Sequence, residues 1–441
     1  MRKHLLATAV AAVCAGGLVA SASAWSDGPF RPFFFFPIDS SADAATWTAA
    51  SPWKLPFGYE QKLVSGEAAL NIYGGGRDDW QDMNTVNETG PQAGRFMYRT
   101  HEVRGAAEGG AVSVVDLKTG VAKVIAQDPT YDALDGIRWT PWGTVLFAEE
   151  IANGRLLEIV LDPNDLTKAT AVLDRPAVGR LAHEGIEVGP QGELYVVDEH
   201  RGRTEGCSGT TPCGGGIYKF VPSAYGDLSA GSLYVLKVTG TDGIGQGEWV
   251  GPVNPATARV SGSQAGGESY QRPEDIEIVG GKLYVAITEG PRDVEGEIYD
   301  GRVIAIDLKT LEVTDFVKAG VNAPLEIGSP GTAAYRTGFD NVDNLAESPD
   351  GRLVLIEDNV PSDIWFASTR TNEFGVSNAV DLFASLSDPE AEGTGIYFSP
   401  KDPSMLYVTF TYSVLGNVQH SVAADGDGTW AITRKKFRGE R

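Results

Sequence analysis

Residues 184–199 read Glu184-Gly-Ile-Glu-Val-Gly-Pro-Gln-Gly-Glu-Leu-Tyr-Val-Val-Asp-Glu199, and this stretch decides the fold. Two short apolar runs flank the turn residues from Gly189 to Gly192, which is typical of a β-hairpin. A hairpin folds back on itself, so its end residues, Glu184 and Glu199, lie side by side at its open end. The stretch therefore predicts a hairpin that presents a pair of carboxylates at one edge.

The same pattern occurs six times along the chain, each time with two polar residues fifteen positions apart. Repeats of several strands, at periods of roughly 40 to 50 residues, are typical of a propeller whose blades surround a central channel. We therefore predict an all-β fold, a six-bladed β-propeller. The pairs are Asn87 and Glu102, Asp135 and Glu150, Glu184 and Glu199, Glu274 and Glu289, Asp343 and Asp358, and Thr394 and Thr409.

Rotation about the propeller axis would bring the polar residues of successive blades together at one mouth of the channel. Crowded carboxylates raise one another's pKa and cannot all ionise without a cation. Oxygen ligands suit Ca²⁺ or Mg²⁺, and a mixed site could also take Fe³⁺ or Mn²⁺. For each acid taken singly, the alternative is a turn-capping or surface role. The predicted metal ligands are Asp135, Glu150, Glu184, Glu274, Asp343 and Glu102.

Basic side chains adjoin two of these acids. Arg272 precedes Glu274 and is predicted as a catalytic residue that orients an anion, the alternative being an ion pair with a ligand carboxylate. His183 precedes Glu184 and is a candidate acid or base, the alternative being a structural hydrogen bond. Arg180 is a weaker anion candidate, with a surface salt bridge as its alternative.

The composition limits the partners of the chain. Its 441 residues are 42% hydrophobic, which is enough to bury a large core, and its net charge is −23. An acidic surface argues against nucleic acid as a partner, since phosphate backbones need basic surfaces. We expect a monomer that binds a small substrate.

The beginning of the sequence has the features of a secretory signal. Met1-Arg-Lys-His precedes an apolar run from Leu5 to about Ala20, and small residues follow up to Ala24. We predict a signal peptide at 1–24, an irregular extension at 25–59 and the propeller at 60–441. The apolar run is shorter than the ~20 residues that a membrane span needs, so we expect no stable membrane insertion, with a membrane anchor as the alternative.

Two cysteines remain after the predicted signal, and they fit an exported protein. Cys207 and Cys213 are close enough to close a small disulfide loop in an oxidising compartment. The alternative is a metal site, although no histidine lies nearby at ligand spacing. We therefore predict Sec-type export to the periplasm or the extracellular space.

Several sequence motifs resemble those of the PhoX family of secreted alkaline phosphatases, and they cover most of residues 95–410. The most specific is Thr140-Pro-Trp-Gly-Thr144 followed by Glu149-Glu150. The others are Tyr98-Arg-Thr-His-Glu102, Gly179-Arg-Leu-Ala-His-Glu184, Arg272-Pro-Glu274, Asp343-Asn-Leu-Ala with Asp350-Gly351, and Glu392-Gly-Thr-Gly395.

The resemblance implies a propeller that holds calcium and iron ions on its axis and hydrolyses a phosphomonoester. Metal ions would act there as Lewis acids and would organise the nucleophile. By position, Glu150, Glu184, Glu274 and Asp343 resemble ligands of that cluster. The expected cofactors are thus Ca²⁺ and, in addition, Fe³⁺.

Two departures from the family pattern alter these expectations. The family usually has a cysteine ligand where this chain has Asp135, and exchanging sulfur for oxygen shifts the expected metal toward Ca²⁺. The last repeat, read as Thr409-Phe-Thr411-Tyr, lacks the Gln-His pair usual in the family. The signal also has Arg2-Lys3 in place of a twin arginine, which fits Sec export.

The sequence is consistent with three functions. The first is a secreted metal-dependent phosphatase. The second is a calcium-dependent lactonase of the gluconolactonase kind, which holds a single Ca²⁺ at the blade edges. The third is a non-catalytic binding propeller that calcium stabilises, since one architecture hosts many functions.

Overall fold

The computed structural model describes residues 35–70, 72–73, 79–202, 207–289, 300–328, 335–398, 414–421 and 426–435. The described residues are mostly β-strand. The strands are β1 Trp53–Lys54, β2 Tyr59–Gly66, β3 Gln81–Val86, β4 Phe96–His101, β5 Ala111–Asp116, β6 Val121–Gln127, β7 Leu134–Trp139, β8 Val145–Glu149, β9 Leu156–Asp162, β10 Asp165–Asp174, β11 Ile186–Val188, β12 Leu194–Val197, β13 Ile217–Ala224, β14 Asp227–Thr241, β15 Ile244–Val250, β16 Pro273–Val279, β17 Lys282–Glu289, β18 Asp300–Asp307, β19 Glu312–Lys318, β20 Val342–Glu347, β21 Leu353–Glu357, β22 Asp363–Ala367, β23 Val380–Leu386, β24 Glu392–Phe398, β25 Val414–Gln419 and β26 Gly428–Arg434. The helix α1 is Ala258–Gln264, and short 3-10 turns cover Ala44–Thr46, Glu67–Ala69, Pro176–Val178 and Pro255–Thr257.

A hairpin is present at each repeat, and glycine makes five of the turns. Just before the second strand of these five hairpins the backbone is left-handed, a conformation that glycine adopts without steric cost. The glycines are Gly94, Gly143, Gly192, Gly281 and Gly351, with φ of 81°, 87°, 83°, 83° and 76°. In the last repeat the sequence pattern predicts that the second strand begins at Ser404, which lies outside the described residues.

All strand pairs within the sheets are antiparallel, and most follow the chain order as meanders. Three four-stranded sheets have the orders β3-β4-β5-β6, β10-β9-β8-β7 and β2-β26-β25-β24. A five-stranded sheet runs β1-β23-β22-β21-β20. A nine-stranded sheet joins two meanders, β11 to β15 and β16 to β19, where β15 meets β19.

The first strands of the meanders form a closed circuit, which makes the fold a β-propeller. In chain order, β3 contacts β7, β7 contacts β11, β11 contacts β16, β16 contacts β20, β20 contacts β24, and β24 contacts β3. Hydrophobic clusters fill the spaces between neighbouring sheets, as where Tyr98 and Trp139 stack with ring centroids 5.9 Å apart. The count of six blades stays a prediction, and this circuit supports it.

An early strand closes the ring. Strand β2 pairs with β26, so a segment near residue 60 adds the outer strand to the sheet that β24, β25 and β26 form. Arg99, which is fully buried on β4, donates to the backbone oxygen of Ser65 and to the hydroxyl of Thr429, at 3.3 and 3.0 Å. One guanidinium therefore ties the first sheet to both strands of the closure.

The extension predicted as irregular also contributes to the fold. Strand β1 pairs with β23, and Phe35 stacks on Phe366 with ring centroids 4.6 Å apart. The predicted signal peptide at 1–24 lies outside the described residues. Among the helices that the structure describes, none is both long and apolar enough to cross a membrane.

Candidate metal centre

β-Bulges shape the inner strands where the predicted ligands lie. A bulge sets two residues of one strand opposite one residue of its partner and redirects the side chains. The register shifts fall between Gln81 and Asn84, Leu134 and Ile137, Pro273 and Ile276, Val342 and Leu345, and Thr394 and Tyr397. The residues inside these bulges include Asp82, Asp135, Glu274 and Asp343.

Two carboxylate triplets form where these side chains meet. Asp135, Glu150 and Glu184 make the first, and Glu184, Glu274 and Asp343 make the second. Within each triplet, one oxygen of every side chain lies within 4.8 Å of the others. Glu184 belongs to both, so the structure brings together five of the six predicted ligands in one continuous group.

Burial changes the protonation of these acids. It is the main cause that raises the pKa of Asp135, Glu184 and Asp343 well above the ordinary range, and neighbouring carboxylates raise each pKa further. The pKa of Glu274 is also raised by burial, although Arg272 opposes the shift. Burial and the adjacent Glu199 raise the pKa of Glu150 to about 10. Without cations, Glu150 therefore holds a proton at neutral pH, and burial favours the protonated forms of the other acids.

The first repeat supplies a different acid from the one expected. Asn87 accepts hydrogen bonds from the backbone of Arg95 and Phe96, at 3.1 and 2.8 Å, so it caps a turn. Asp82 lies in the bulge instead, is buried, and accepts a 2.5 Å bond from the Thr394 hydroxyl. The fifteen-residue spacing does not identify Asp82, because the long connection between β3 and β4 lengthens the interval between Asp82 and Glu102.

The fourth repeat also departs from the expected spacing. In three other repeats, a backbone N–H just after the second strand donates to the backbone oxygen two positions before the acid in the bulge. The donors are Glu102, Glu150 and Asp358, and each bond is 2.9 Å long. In the fourth repeat Thr288 makes this bond, to the Arg272 oxygen at 3.0 Å. Its hairpin is one residue shorter, so Thr288 takes the place predicted for Glu289, whose side chain lies outside the described part of the chain.

The last repeat carries a Gln-His pair after all. Thr409 lies outside the described residues, and the second strand of this repeat is β25, which ends at Gln419. The Gln419 amide donates to Glu392 at 2.8 Å, and His420 Nε2 lies 3.4 Å from the same Glu392 oxygen. The expectation that the pair is missing was wrong because the strand begins ten residues later than the sequence pattern indicated.

Two arginines bind carboxylates at the group. Arg272 Nε lies 2.5 Å from Glu199 Oε1 and 3.1 Å from Glu274 Oε1, and Nη2 lies 3.7 Å from Asp358 Oδ2. The ion-pair alternative for Arg272 is therefore present in the structure. Arg104, which the sequence analysis did not identify, lies 2.6 Å from Glu102 Oε1 and forms an ion pair with Glu150, so Glu102 joins the group through this guanidinium.

His183 and Arg180 take the structural alternatives. His183 is fully buried, and its Nε2 lies 3.1 Å from the backbone oxygen of Gly179. Burial lowers the pKa of His183 to about 4, so the ring is neutral. Arg180 forms a bidentate ion pair with Asp174, with N–O distances of 2.9 and 2.5 Å. Both side chains support the loop that carries Glu184.

Close backbone approaches fix the positions of the acids. A Cβ atom on Gly136 would lie 1.7 Å from the Glu184 backbone oxygen, and one on Gly185 would lie 2.6 Å from the Ile276 nitrogen. Asp198 holds the Glu184 loop by accepting a 2.9 Å bond from the Ala182 backbone. Glycine at these sites lets neighbouring inner strands come into direct contact.

A second layer of charges lies three residues further along the inner strands. Arg138, Glu187 and Glu277 follow Asp135, Glu184 and Glu274 at this interval. Arg138 forms an ion pair with Glu187 and lies 3.0 Å from Glu277. In β7 and β16 the bulge adds one residue to the normal two-residue alternation, so side chains three apart face the same way.

Comparisons with known proteins identify a family and similar folds. A sequence profile for the family described as alkaline phosphatase PhoX matches residues 156–411. No curated protein matches the chain in sequence. Among solved structures, the chain is similar to Pseudomonas fluorescens PhoX in complex with vanadate, a transition state analogue. That match has 17% identity and a TM-score of 0.60, and it covers 92% of this chain and 98% of that one. The chain also matches the PQQ-bound aldose sugar dehydrogenase of Streptomyces coelicolor, with 14% identity, a TM-score of 0.44, and coverage of 86% and 99%.

Proposed function

The chain belongs to the PhoX family of alkaline phosphatases, and we propose that it is a metal-dependent hydrolase of small phosphomonoesters. The observation that carries this proposal is the pair of carboxylate triplets that share Glu184. The similarity of the fold to Pseudomonas fluorescens PhoX, which binds a transition state analogue, supports it.

The residues of the site fit cations. Asp135 Oδ1 is buried and has no hydrogen-bond partner among the described residues, which is costly for a polar atom unless a ligand completes its contacts. The surrounding acids have raised pKa values, and a cation would favour their ionised forms. Oxygen-only donors suit Ca²⁺ best, and we assign Ca²⁺ to the site with Fe³⁺ as a second candidate.

Each residue has a proposed role. Asp135, Glu150, Glu184, Glu274 and Asp343 would hold the cations, and Glu102 would join them from the Arg104 side. Bound cations supply Lewis acidity and neutralise the charge of a phosphoryl group. The guanidinium of Arg272, a planar fork of donors, would orient the phosphoryl oxygens when cations engage its carboxylate partners.

We propose that the protein works in the periplasm or outside the cell. The cysteines predicted to pair do form a disulfide, Cys207 to Cys213, which fits an oxidising compartment. The predicted signal at residues 1–24 supports the same location.

A phosphatase assay with controlled metal content tests the proposal. Purified protein is stripped with a chelator, reloaded with Ca²⁺, Fe³⁺ or both, and given an aryl phosphate at alkaline pH and, separately, a lactone. We expect aryl phosphate turnover that chelation abolishes. Turnover of the lactone alone would select the lactonase, and thermal stabilisation by Ca²⁺ without turnover of either would select a non-catalytic propeller.

The Asp135→Cys variant separates the choice of metal from the choice of reaction. A thiolate favours iron over calcium, so this variant should retain more iron by elemental analysis. The matched Asp135→Asn variant removes the charge without adding sulfur and should retain less of either metal. Equal metal content in all three proteins would contradict the assignment of Asp135 as a ligand.

A further inference from the structure

Arg104 is the second guanidinium at the carboxylate group. Its Nη2 lies 2.6 Å from Glu102 Oε1 and forms an ion pair with Glu150, while Nη1 donates to the Glu150 backbone oxygen at 3.3 Å. The Arg104 side chain is 48% exposed, whereas that of Arg272 is 20% exposed. Arg104 therefore combines contact with the group and access to solvent.

The two guanidiniums bind neighbouring carboxyl groups. Arg104 binds Glu150, and Arg272 binds Glu199. Glu199 lies close enough to Glu150 to raise the pKa of its carboxyl group. A ligand seated over this carboxyl pair would therefore lie near both arginines.

The backbone holds Arg104 in this position. The Gly105 N–H donates to the Asp132 side chain at 2.8 Å, and the Ala133 N–H donates to the Val103 oxygen at 3.3 Å. Both bonds tie the segment that carries Arg104 to the segment that leads into β7. The backbone of Arg104 is thus held near Glu150 when the partners of its side chain change.

We propose that Arg104 is a second phosphoryl-binding residue, which acts together with Arg272 and favours dianionic monoesters over monoanionic diesters. This inference rests on the proposed function. Cations that engage Glu102 and Glu150 would compete with the guanidinium for these oxygens and leave its N–H donors for an anion. Arginine presents five donors in a rigid fork that matches phosphate oxygens.

The test compares Arg104→Gln and Arg104→Lys with wild-type protein and with Arg302→Gln. Arg302 is a matched control because it pairs with Asp315 at 2.9 Å on the strands β18 and β19, away from the inner strands. Inorganic phosphate binding to metal-loaded protein is measured by calorimetry, beside metal content and the kcat and KM for an aryl phosphate and its diester.

We expect Arg104→Gln to weaken phosphate binding about tenfold or more, since a hydrogen bond to a charged group is stronger than one between neutral groups. Arg104→Lys should recover part of the loss, KM should change more than kcat, and the preference for the monoester should fall. The metal content of these variants and the binding by Arg302→Gln should match wild type.

Unchanged phosphate affinity in both Arg104 variants would overturn the inference and leave the proposed phosphatase function standing. A loss of affinity that follows a loss of metal would also overturn it, because Arg104 would then only balance the ligand charges. If wild-type protein turns over no phosphoester, the proposed function fails, while the calorimetric comparison still decides whether Arg104 binds phosphate.

Discussion

Glu184 is the side chain that both carboxylate triplets share. Replacing it with glutamine keeps the size of the side chain but removes a charge from each triplet. We expect Glu184→Gln to lose cations from both triplets and to lower phosphatase activity by about 100-fold or more. Even residues that only hydrogen-bond to a metal ligand change metal affinity or activity by about 10- to 100-fold when they are replaced. Elemental analysis and a rate assay on the same preparation measure both effects.

Glu193→Gln is the matched control for this prediction. Glu193 is also buried, but it accepts a 2.8 Å bond from the Gln191 backbone at a hairpin turn. Its substitution should leave the metal content unchanged. Full metal occupancy in Glu184→Gln would show that the triplets do not share this ligand.

The raised pKa values predict how the stability of metal-free protein depends on pH. Burial raises the pKa of Glu150 and Glu392 from 4.5 to about 10 and that of Asp82 from 3.8 to about 8. The folded state therefore binds more protons than the unfolded state, so this stability is fully present below about pH 4 and is lost as pH rises toward these values.

We expect the thermal midpoint of chelated protein to fall between roughly pH 5 and pH 9, and Ca²⁺ to restore most of the loss at the alkaline end. Thermal unfolding over this pH range, with Ca²⁺ or with sodium chloride at equal ionic strength, measures the effect. The salt control separates binding in the site from screening of the net charge. Parallel curves with and without Ca²⁺ would contradict the prediction.

At the residue scale, the sequence predicted most of the acids that meet in the structure and missed the acid of the first repeat. Asp135, Glu184 and Asp343 follow the fifteen-residue spacing and meet in the structure. Asp82 was missed because its hairpin has a longer connection. Arg104 was missed because an arginine that follows a strand has no periodic signal, and only the fold shows which carboxylates it binds.

The element that places the acids is the bulged inner strand, and Gly136 tests its geometry. A Cβ at this position would lie 1.7 Å from the Glu184 backbone oxygen, so the strand and the loop would have to separate. We expect Gly136→Ala to lower the free energy of unfolding by about 1 to 3 kcal/mol, which is typical of overpacking, and to reduce metal content. Denaturant unfolding and elemental analysis measure the two effects.

Gly416→Ala on β25 is the control, because a Cβ there would meet no atom within 4 Å. Its stability and metal content should remain close to those of wild type. Normal metal content in a destabilised Gly136→Ala protein would show that the bulge does not determine the positions of the metal ligands.

At the element scale, the glycine turns and the hairpins could be predicted from the sequence, whereas the bulges could not. Turn residues act locally, so Gly143 and Gly192 give a signal within a few positions. A bulge depends on the register between two strands. The sequence of β7 or β20 alone does not determine that register.

The ring of sheets is closed by the pairing of β2 with β26, and a substitution of Arg99 tests this closure. Its guanidinium is fully buried and donates to Ser65 on β2 and Thr429 on β26. We expect Arg99→Met to lower the free energy of unfolding by about 3 to 5 kcal/mol, because several buried acceptors lose their donor and each unsatisfied group costs about 1 to 3 kcal/mol. Denaturant unfolding measures the change.

Arg95→Gln is the matched control, since Arg95 pairs with Asp116 near the surface at 2.7 Å. Such a pair contributes about 1 kcal/mol or less. Equal stability of the two variants would show that the closure does not depend on the buried guanidinium.

The propeller architecture could be predicted from the sequence because the repeated hairpins set its period. The closing pair could not, because Tyr59 and Arg434 lie at distant points of the chain and no local pattern links them. The same holds for Trp53 of β1, which pairs with Leu386.

The pairing of β2 with β26 also has a consequence for how the protein matures. Contacts between segments far apart in sequence slow folding, because the entropy of closing the long loop opposes them. Until β2 docks, β26 presents an uncovered edge that can recruit another chain. A newly made molecule is therefore prone to aggregation until β2 docks, and conditions that speed the docking should raise the yield of native protein.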